Sequence, residues 1–127
     1  MTHDERRAVG RQAEHLATLF LQRKGYGIIA RNWRCRQGEI DLIARDGACL
    51  VFVEVRARRS AARGLAEESI TSAKQHRLIA LAEAYLYDLQ EAGSPWPGPW
   101  RIDAIAVCVA PDGTSDLRHV EHAVESG

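Results

Sequence analysis

The sequence has neither an excess of charge of one sign nor a long apolar run. Its 127 residues include 17 basic and 17 acidic side chains, so no overall positive field indicates a nucleic-acid-binding protein. No stretch approaches the roughly 20 apolar residues of a membrane-spanning helix. Residues 1–11 are charged and lack the apolar segment of a signal peptide. These absences predict a cytoplasmic protein.

Cysteine and lysine are also scarce. The three cysteines are odd in number and show neither a C-x-x-C pair nor the spacing of a metal site. Nearly all of the 17 basic residues are arginine, so an arginine at any one position is weak evidence of a specific role. The sequence shows no glycine-rich phosphate loop, no Ser-His-Asp arrangement and no dinucleotide fingerprint. The common nucleotide-binding and hydrolase motifs are therefore not available as explanations.

Acidic residues do occur where strands usually exclude them. Residues 38–43 read Gly-Glu-Ile-Asp-Leu-Ile, and residues 51–56 read Val-Phe-Val-Glu-Val-Arg. Both segments have the apolar, β-branched character of strands, in which Asp and Glu are depleted and costly to bury. Two acids on one strand and Glu-x-Arg on the next strand favour a site for a divalent cation.

The remaining pattern predicts a small α/β domain. A helical period of apolar residues covers 8–24, and a second helix begins at Thr71 or Ser72, where Ser72 and Gln75 fit a capping box. Strands are predicted at 26–34, 38–45, 48–57 and 100–109, with a short edge element at 117–124. The order αβββαβ predicts one mixed central β-sheet flanked by α-helices.

The turn between the second and third strands allows a prediction of register. Asp-Gly is a strong hairpin signal, and a two-residue loop of Asp46 and Gly47 would place Glu39 opposite Glu54. Asp41 would then be diagonal to Glu54, at about 7–8 Å. Residues 39, 41, 54 and 56 are all expected on one face of the sheet.

Three acids on one surface repel one another unless a positive charge lies between them. Mg²⁺ suits such a group, because it binds one or two carboxylates and keeps further positions for water and phosphate oxygens. An ion-pair network is the alternative, in which Arg34, Arg56 or Arg101 neutralises the acids. Spacing alone does not decide between these interpretations.

Arginines lie on both sides of the acidic strands. Arg31, Arg34 and Arg36 precede the first acid pair, and the basic residues after the second are Arg56, Arg58, Arg59 and Arg63. They can hold a nucleic-acid backbone through salt-dependent phosphate contacts. They can equally form a solvated basic rim.

The combination of motifs is similar to the YraN family of bacterial proteins, uncharacterised protein family 0102. Besides the two acidic segments, the matching positions are Gly10-x-x-x-Glu14-x-x-Ala17, Gly25-Tyr26, Arg31-Asn32, Ile70 with Lys74, and Arg101-Ile102-Asp103. That family resembles a branch of the restriction-endonuclease-like fold and is likened to archaeal Holliday-junction resolvases. The resemblance implies one endonuclease-like domain over residues 1–127.

The resemblance also implies roles for the acids. Asp41 and Glu54 correspond to carboxylates that bind Mg²⁺ or Mn²⁺, Glu39 to an accessory acid, and Glu14 to a further carboxylate. Glu14 can reach the site or be a solvated helix residue. Asp103 supports the site from a neighbouring strand or pairs with Arg101.

One position departs from the family pattern. The family carries lysine where this chain has Arg56, and arginine stays charged and is a poor base. Arg56 can still hold the scissile phosphate, so we expect cleavage to be slower or lost. Lys74 is the one lysine expected to substitute, and its alternative is a surface residue in contact with phosphate or solvent.

The expected function is metal-dependent hydrolysis of phosphodiesters in DNA or structured RNA. The alternative is a non-catalytic nucleic-acid-binding or protein-interaction module with a degenerate nuclease site. Symmetric action on a duplex would require a homodimer. The expected nucleic-acid contacts are Arg34, Arg58, Arg59, Arg63 and Lys74. His119 and His122 form an H-x-x-H pair near the C-terminus and are expected to be exposed to solvent.

Overall fold

A computed structural model of the chain describes residues 2–59 and 70–124. In chain order its elements are α1 (His3–Arg23), β1 (Gly27–Cys35), β2 (Gly38–Asp46), β3 (Cys49–Arg59), α2 (Ser72–Glu91), β4 (Trp100–Val109) and β5 (Ser115–Val120). The α/β class and the αβββαβ order are confirmed, with β5 as the short element at the edge. No helix within the described ranges is long and apolar enough to cross a membrane.

The strands form one five-stranded mixed sheet in the order β1-β2-β3-β4-β5, which is consistent with a restriction-endonuclease-like fold. β3 and β4 run parallel, and the other neighbouring pairs are antiparallel. Side chains alternate between two cores on opposite faces. Phe52 packs in the core that includes Leu78 and Leu81 of α2, whereas Val51 and Val53 pack with α1. One helix therefore covers each face.

The helix starts are set by capping. The Oγ1 of Thr2 accepts a hydrogen bond from the amide of Glu5, and Asp4 and Glu5 lie in the first turn of α1, where acids favour the helix dipole. The first residues of α1 are polar and show no helical period of apolar side chains. The predicted start at residue 8 is therefore five residues later than the observed start at His3. In α2, Thr71 is the N-cap and accepts from the amide of Lys74. The predicted Ser72–Gln75 capping box is wrong, because the Gln75 side chain donates to the carbonyl of Ile70 instead.

The predicted hairpin register is wrong by two residues. Asp46 pairs with Cys49, so Gly47 and Ala48 form the loop. Gly47 has a φ of 58° and takes the first central position, where hairpin turns of type II′ favour glycine. The last pair of this ladder joins Leu42 to Val53. Asp41 and Glu54 are the residues immediately beyond this last pair.

The alternation of side chains along β2 is interrupted at Asp41. Ile40 and Ile43 pack in the core of α2, whereas Leu42 packs in the core of α1. Glu39, next to Ile40, therefore lies toward α1, while Glu54, two residues from Phe52, lies toward α2. The prediction that residues 39, 41, 54 and 56 share one face is wrong. Strict two-residue periodicity assumes a regular strand, which β2 is not at this point.

Candidate metal centre

Asp41 lies where the β2–β3 ladder ends, and its side chain takes over the role of a main-chain acceptor. Its Oδ2 accepts a hydrogen bond from the amide of Val55 at 2.7 Å. Burial raises the pKa of this carboxyl to about 7, the Val55 hydrogen bond opposes the rise, and the charges of Glu54, Glu14 and Glu39 increase it further. A carboxyl with this pKa is only partly ionised at neutral pH. A cation at this position would favour its ionised form.

Glu54 of β3 forms an ion pair with Lys74 of α2. Its side chain is 13% exposed, and its Oε1 lies 3.5 Å from Nζ of Lys74, which is 30% exposed. Lys74 lies in the first turn of α2, and the Thr71 cap on its amide fixes that turn. Lys74, the lysine expected to substitute for the one that Arg56 replaces, therefore forms an ion pair with Glu54.

Glu14 and Glu39 meet at a neutral side chain. In the amide orientation that satisfies both carboxylates, Nδ2 of Asn32 donates to Oε1 of Glu14 at 3.0 Å and to Oε1 of Glu39 at 2.9 Å. Burial raises the pKa of Glu14, the Asn32 hydrogen bond lowers it, and the charge of Glu39 raises it. The helix residue Glu14 therefore lies at the site. Glu14, Glu39, Asp41 and Glu54 are called the acidic cluster below.

The predicted basic contacts are only partly described. Arg34 is 77% exposed, and its Nε lies 3.7 Å from Oε1 of Glu39. Arg56 is half-buried on β3, and strand alternation places it toward α2, as Glu54 is. Arg63 and the side chains of Arg58 and Arg59 lie outside the described residues. Their proposed grip on nucleic acid stays a prediction.

A second polar group, around Asp103, lies toward α1 near the start of β4. Asp103 is fully buried, and its carboxylate accepts from Nε of Arg101 at 2.9 Å and from the amide of His122 at 3.1 Å. His119 Nε2 lies 2.8 Å from Oδ2 of Asp103, and Lys24 Nζ lies 3.0 Å from its Nδ1. Nδ1 therefore accepts and Nε2 donates. Of the alternatives for Asp103, the structure shows the pair with Arg101.

The expectation that His119 is exposed to solvent is wrong. Its side chain is 3% exposed, because β5 pairs with β4 and places His119 against the buried carboxylate of Asp103. The H-x-x-H spacing carried no signal for this contact. The amide of His122, rather than its ring, contributes to the same carboxylate.

Arg101 connects Asp103 to the surrounding elements. Its guanidinium donates to the hydroxyl of Tyr26 at 2.7 Å and to Oε1 of Glu121 at 3.2 Å, and Asp46 lies at 3.3 Å. Arg101, Asp103, His119, Tyr26, Asp46 and Glu121 are called the Asp103 network below. Burial by itself would raise the pKa of Asp103, but hydrogen bonds from His119, Arg101 and the His122 amide lower it.

The two groups differ as places for a metal ion. Within residues 2–59 and 70–124, only one group of three His, Cys, Asp or Glu side chains has its ligand atoms within 4.8 Å of one another. It consists of Asp103, His119 and Glu121. Arg101 already donates to both of these acids, so its charge takes the place of an ion. The acidic cluster is less closely spaced, but its carboxylate oxygens suit Mg²⁺ or Mn²⁺. The pKa of Asp41 is raised first by burial and then by the charges of the other three acids.

Asn32 is the site residue that spacing did not single out. It lies on β1 between Arg31, which pairs with Leu42, and Trp33, which pairs with Ile40, so it is opposite Asp41. Its φ of 52° is in the left-handed region. Asparagine is one of the residues that tolerate this region. That preference and the Arg31-Asn32 match were the signals available in the sequence.

The family comparison covers most of the chain. Residues 13–107 match the model of UPF0102, described as an uncharacterised protein family. A UPF0102 protein of Herpetosiphon aurantiacus is 50% identical over 118 residues, 93% of this chain and 94% of that protein. One from Roseiflexus castenholzii is 47% identical over 94% of this chain and 95% of its own length, and one from Pseudomonas savastanoi pv. phaseolicola is 40% identical over 99% and 100%. The chain therefore belongs to the protein family UPF0102.

Proposed function

We propose that the acidic cluster binds Mg²⁺ or Mn²⁺ and that the protein hydrolyses phosphodiester bonds in DNA or structured RNA. The observation that carries this proposal is Asp41, a half-buried carboxyl whose pKa is raised to about 7, with three further acids close enough to contribute. If an arginine neutralised Asp41 inside the fold, its pKa would be lowered, as it is for Asp103 beside Arg101. A perturbed carboxyl within a group of like charges is typical of functional sites.

Asp41 and Glu54 are the proposed metal ligands, because they lie immediately beyond Leu42 and Val53, the last pair of the β2–β3 ladder. Glu14 and Glu39 add negative charge from α1 and β2. The ion would supply Lewis-acid activation of water and would neutralise charge on the scissile phosphate. The hydrogen bond from Val55 fixes one oxygen of Asp41 and orients the other for a ligand.

Lys74 is proposed to act where Arg56 cannot. At 3.5 Å its ammonium is paired with Glu54 without a short hydrogen bond, so it can turn toward a phosphate oxygen beside that carboxylate. Thr71, Lys74 and Arg77 line one depression at the start of α2, and the first turn of this helix carries no acid. Both features favour a phosphate at this end of α2.

Arg56 is proposed to hold the substrate phosphate rather than to accept a proton. A guanidinium offers two parallel N–H donors to phosphate oxygens and does not deprotonate at neutral pH. Arg34, Arg58, Arg59 and Arg63 are proposed to contact the backbone of the nucleic acid farther from the reacting bond. Such contacts give salt-dependent affinity with little sequence preference.

The direct test is cleavage of branched, single-stranded and duplex DNA and of structured RNA with Mn²⁺. We expect cleavage of at least one substrate by the wild type and its loss in Asp41→Asn and Glu54→Gln. Glu91→Gln is the matched control, because Glu91 is exposed at the C-terminal end of α2, at the other end of that helix from Lys74, and its removal should leave cleavage unchanged. If both carboxylate variants still cleave as the wild type does, another site or a contaminant is responsible for the activity.

The second candidate function is nucleic-acid binding without cleavage, and Arg56 is the observation that favours it. Arg56→Lys introduces a lysine two residues after Glu54, where the resemblance to the nuclease fold implies one. Cleavage that appears or increases in this variant would indicate an impaired nuclease. Retained binding with no cleavage by either protein would favour the binding module. A homodimer is proposed only for symmetric substrates, and sedimentation in the presence of a DNA junction tests it.

A further inference from the structure

Asn32 combines an unusual backbone with an unusual pair of contacts. It is one of two non-glycine residues within the described ranges that have positive φ, and it lies inside the strand β1 rather than in a turn. Left-handed residues interrupt a strand and persist only where the surroundings hold them. The interruption lies opposite Asp41, where β2 also loses its alternation.

The contacts of Asn32 join two elements that carry like charge. One amide nitrogen donates to Glu14 of α1 and to Glu39 of β2. The two carboxylates are therefore held near each other and near Asp41, although all three repel. Arginine or lysine at this position would also hold them, but it would cancel a charge. The neutral amide holds the acids and leaves their negative charge available to a cation.

From this geometry we infer that Asn32 is a positioning residue for the metal centre. It fixes Glu14 and Glu39 around Asp41 without neutralising them, and the left-handed backbone is what directs its amide to both. This inference rests on the proposed function and assigns a role to a residue that touches neither the ion nor the substrate. Residues that orient metal ligands commonly change metal affinity by about 10- to 100-fold when they are replaced.

Asn32→Gly separates this role from a structural one. Glycine adopts positive φ without strain, so the strand geometry is retained while the amide is lost. His122→Gly is the matched control, because His122 also has a positive φ, of 53°. It lies away from the acidic cluster, and its main-chain amide, which glycine keeps, donates to Asp103. In buffer without metal, the Tm of each variant should be no more than about 3 °C below that of the wild type.

The measurement is Mn²⁺ binding by calorimetry to the three full-length proteins. We expect Asn32→Gly to bind Mn²⁺ about 10- to 100-fold more weakly than the wild type, and His122→Gly to bind it equally well. Equal affinity of Asn32→Gly and wild type would overturn the inference and leave the metal centre intact. Equal weakening in both glycine variants would also overturn it, since general loosening of the backbone would then be the cause. A wild type that does not bind Mn²⁺ would remove the proposed function and this role with it.

Discussion

Asp41 and Asp103 lie in strands of the same sheet and have opposite electrostatics. Asp103 is fully buried, yet its pKa is lowered because Arg101, His119 and the amide of His122 donate to it. Asp41 is half-buried, yet its pKa rises to about 7, because burial and the charges of Glu54, Glu14 and Glu39 outweigh the single hydrogen bond from the Val55 amide. Burial raises the pKa of both carboxyls, and only at Asp103 do the hydrogen-bond donors outweigh it.

The Asp103 network stabilises the fold, whereas the acidic cluster is the candidate for function. In the Asp103 network, Arg101 joins β4 to Asp46 at the end of β2, to Tyr26 after α1 and to Glu121 after β5. Each charge there has an opposite charge or a donor within the protein. The acidic cluster holds like charges together at the point where two strands separate, which reduces stability unless a ligand compensates.

The largest expected effect is on the structural side of the comparison. Arg101→Met would leave Asp103 buried beside Glu121 without the guanidinium that compensates both. We expect a loss of about 3–5 kcal/mol in the free energy of unfolding, measured by urea denaturation at pH 7. Arg34→Met is the control, since its exposed ion pair should contribute at most about 1 kcal/mol. Similar losses in both variants would contradict the structural role of Arg101.

Asp41→Asn should have the opposite sign in the absence of metal. The folded protein raises the pKa of Asp41 from its ordinary 3.8 to about 7, so ionisation destabilises the fold progressively as pH rises through this window. Asparagine keeps an acceptor for the Val55 amide and removes that cost, whose upper limit is about 4 kcal/mol. After solvent screening we expect a gain of about 1–2 kcal/mol at pH 8 and almost none at pH 4.

Urea unfolding of both proteins in chelator-treated buffer at the two pH values checks this difference. The wild-type and variant proteins share all other titrating groups, so their difference isolates residue 41. A variant that is less stable than the wild type at pH 8 would mean that a cation inside the protein already compensates Asp41.

The smallest expected effect concerns Lys74. Lys74→Met removes one positive charge from the start of α2 and the ion pair between Lys74 and Glu54. We expect a weaker affinity for DNA across sequences and a decrease of about one in the slope of log affinity against log salt concentration. Fluorescence anisotropy at several salt concentrations measures both. An unchanged salt slope would show that Lys74 does not contact phosphate.

The helices and strands could be predicted because the apolar pattern of each element lies within its own segment of the sequence. The strand prediction for residues 100–109 coincides with β4, since a run of apolar residues interrupted only by Arg101 and Asp103 indicates burial on both faces. The hairpin was located but its register was not, because Asp46, Gly47 and Ala48 offer two adjacent loops and only the φ of Gly47 distinguishes them. With this shift of two residues the ladder ends at Leu42 and Val53, and Asp41 and Glu54 follow just beyond it.

The acidic side chains of the site could be named from the sequence, but their arrangement could not. Motif spacing cannot reveal that β2 loses alternation at Asp41, that Asn32 holds Glu14 and Glu39, or that Lys74 reaches Glu54 from α2. These contacts join elements far apart in the chain. The burial of His119 was missed for the same reason, since it depends on pairing between β5 and β4.

Calorimetric titration with Mn²⁺ at pH 8 and pH 6 tests the central claim most directly. If the acidic cluster is a metal centre, the wild type binds Mn²⁺ at pH 8, and the affinity falls by up to about tenfold at pH 6 because a proton then competes for Asp41. Asp41→Asn should bind at least about tenfold more weakly at pH 8 and lose most of the pH dependence. Absence of binding by the wild type, or binding that neither pH nor Asp41→Asn alters, would contradict the account.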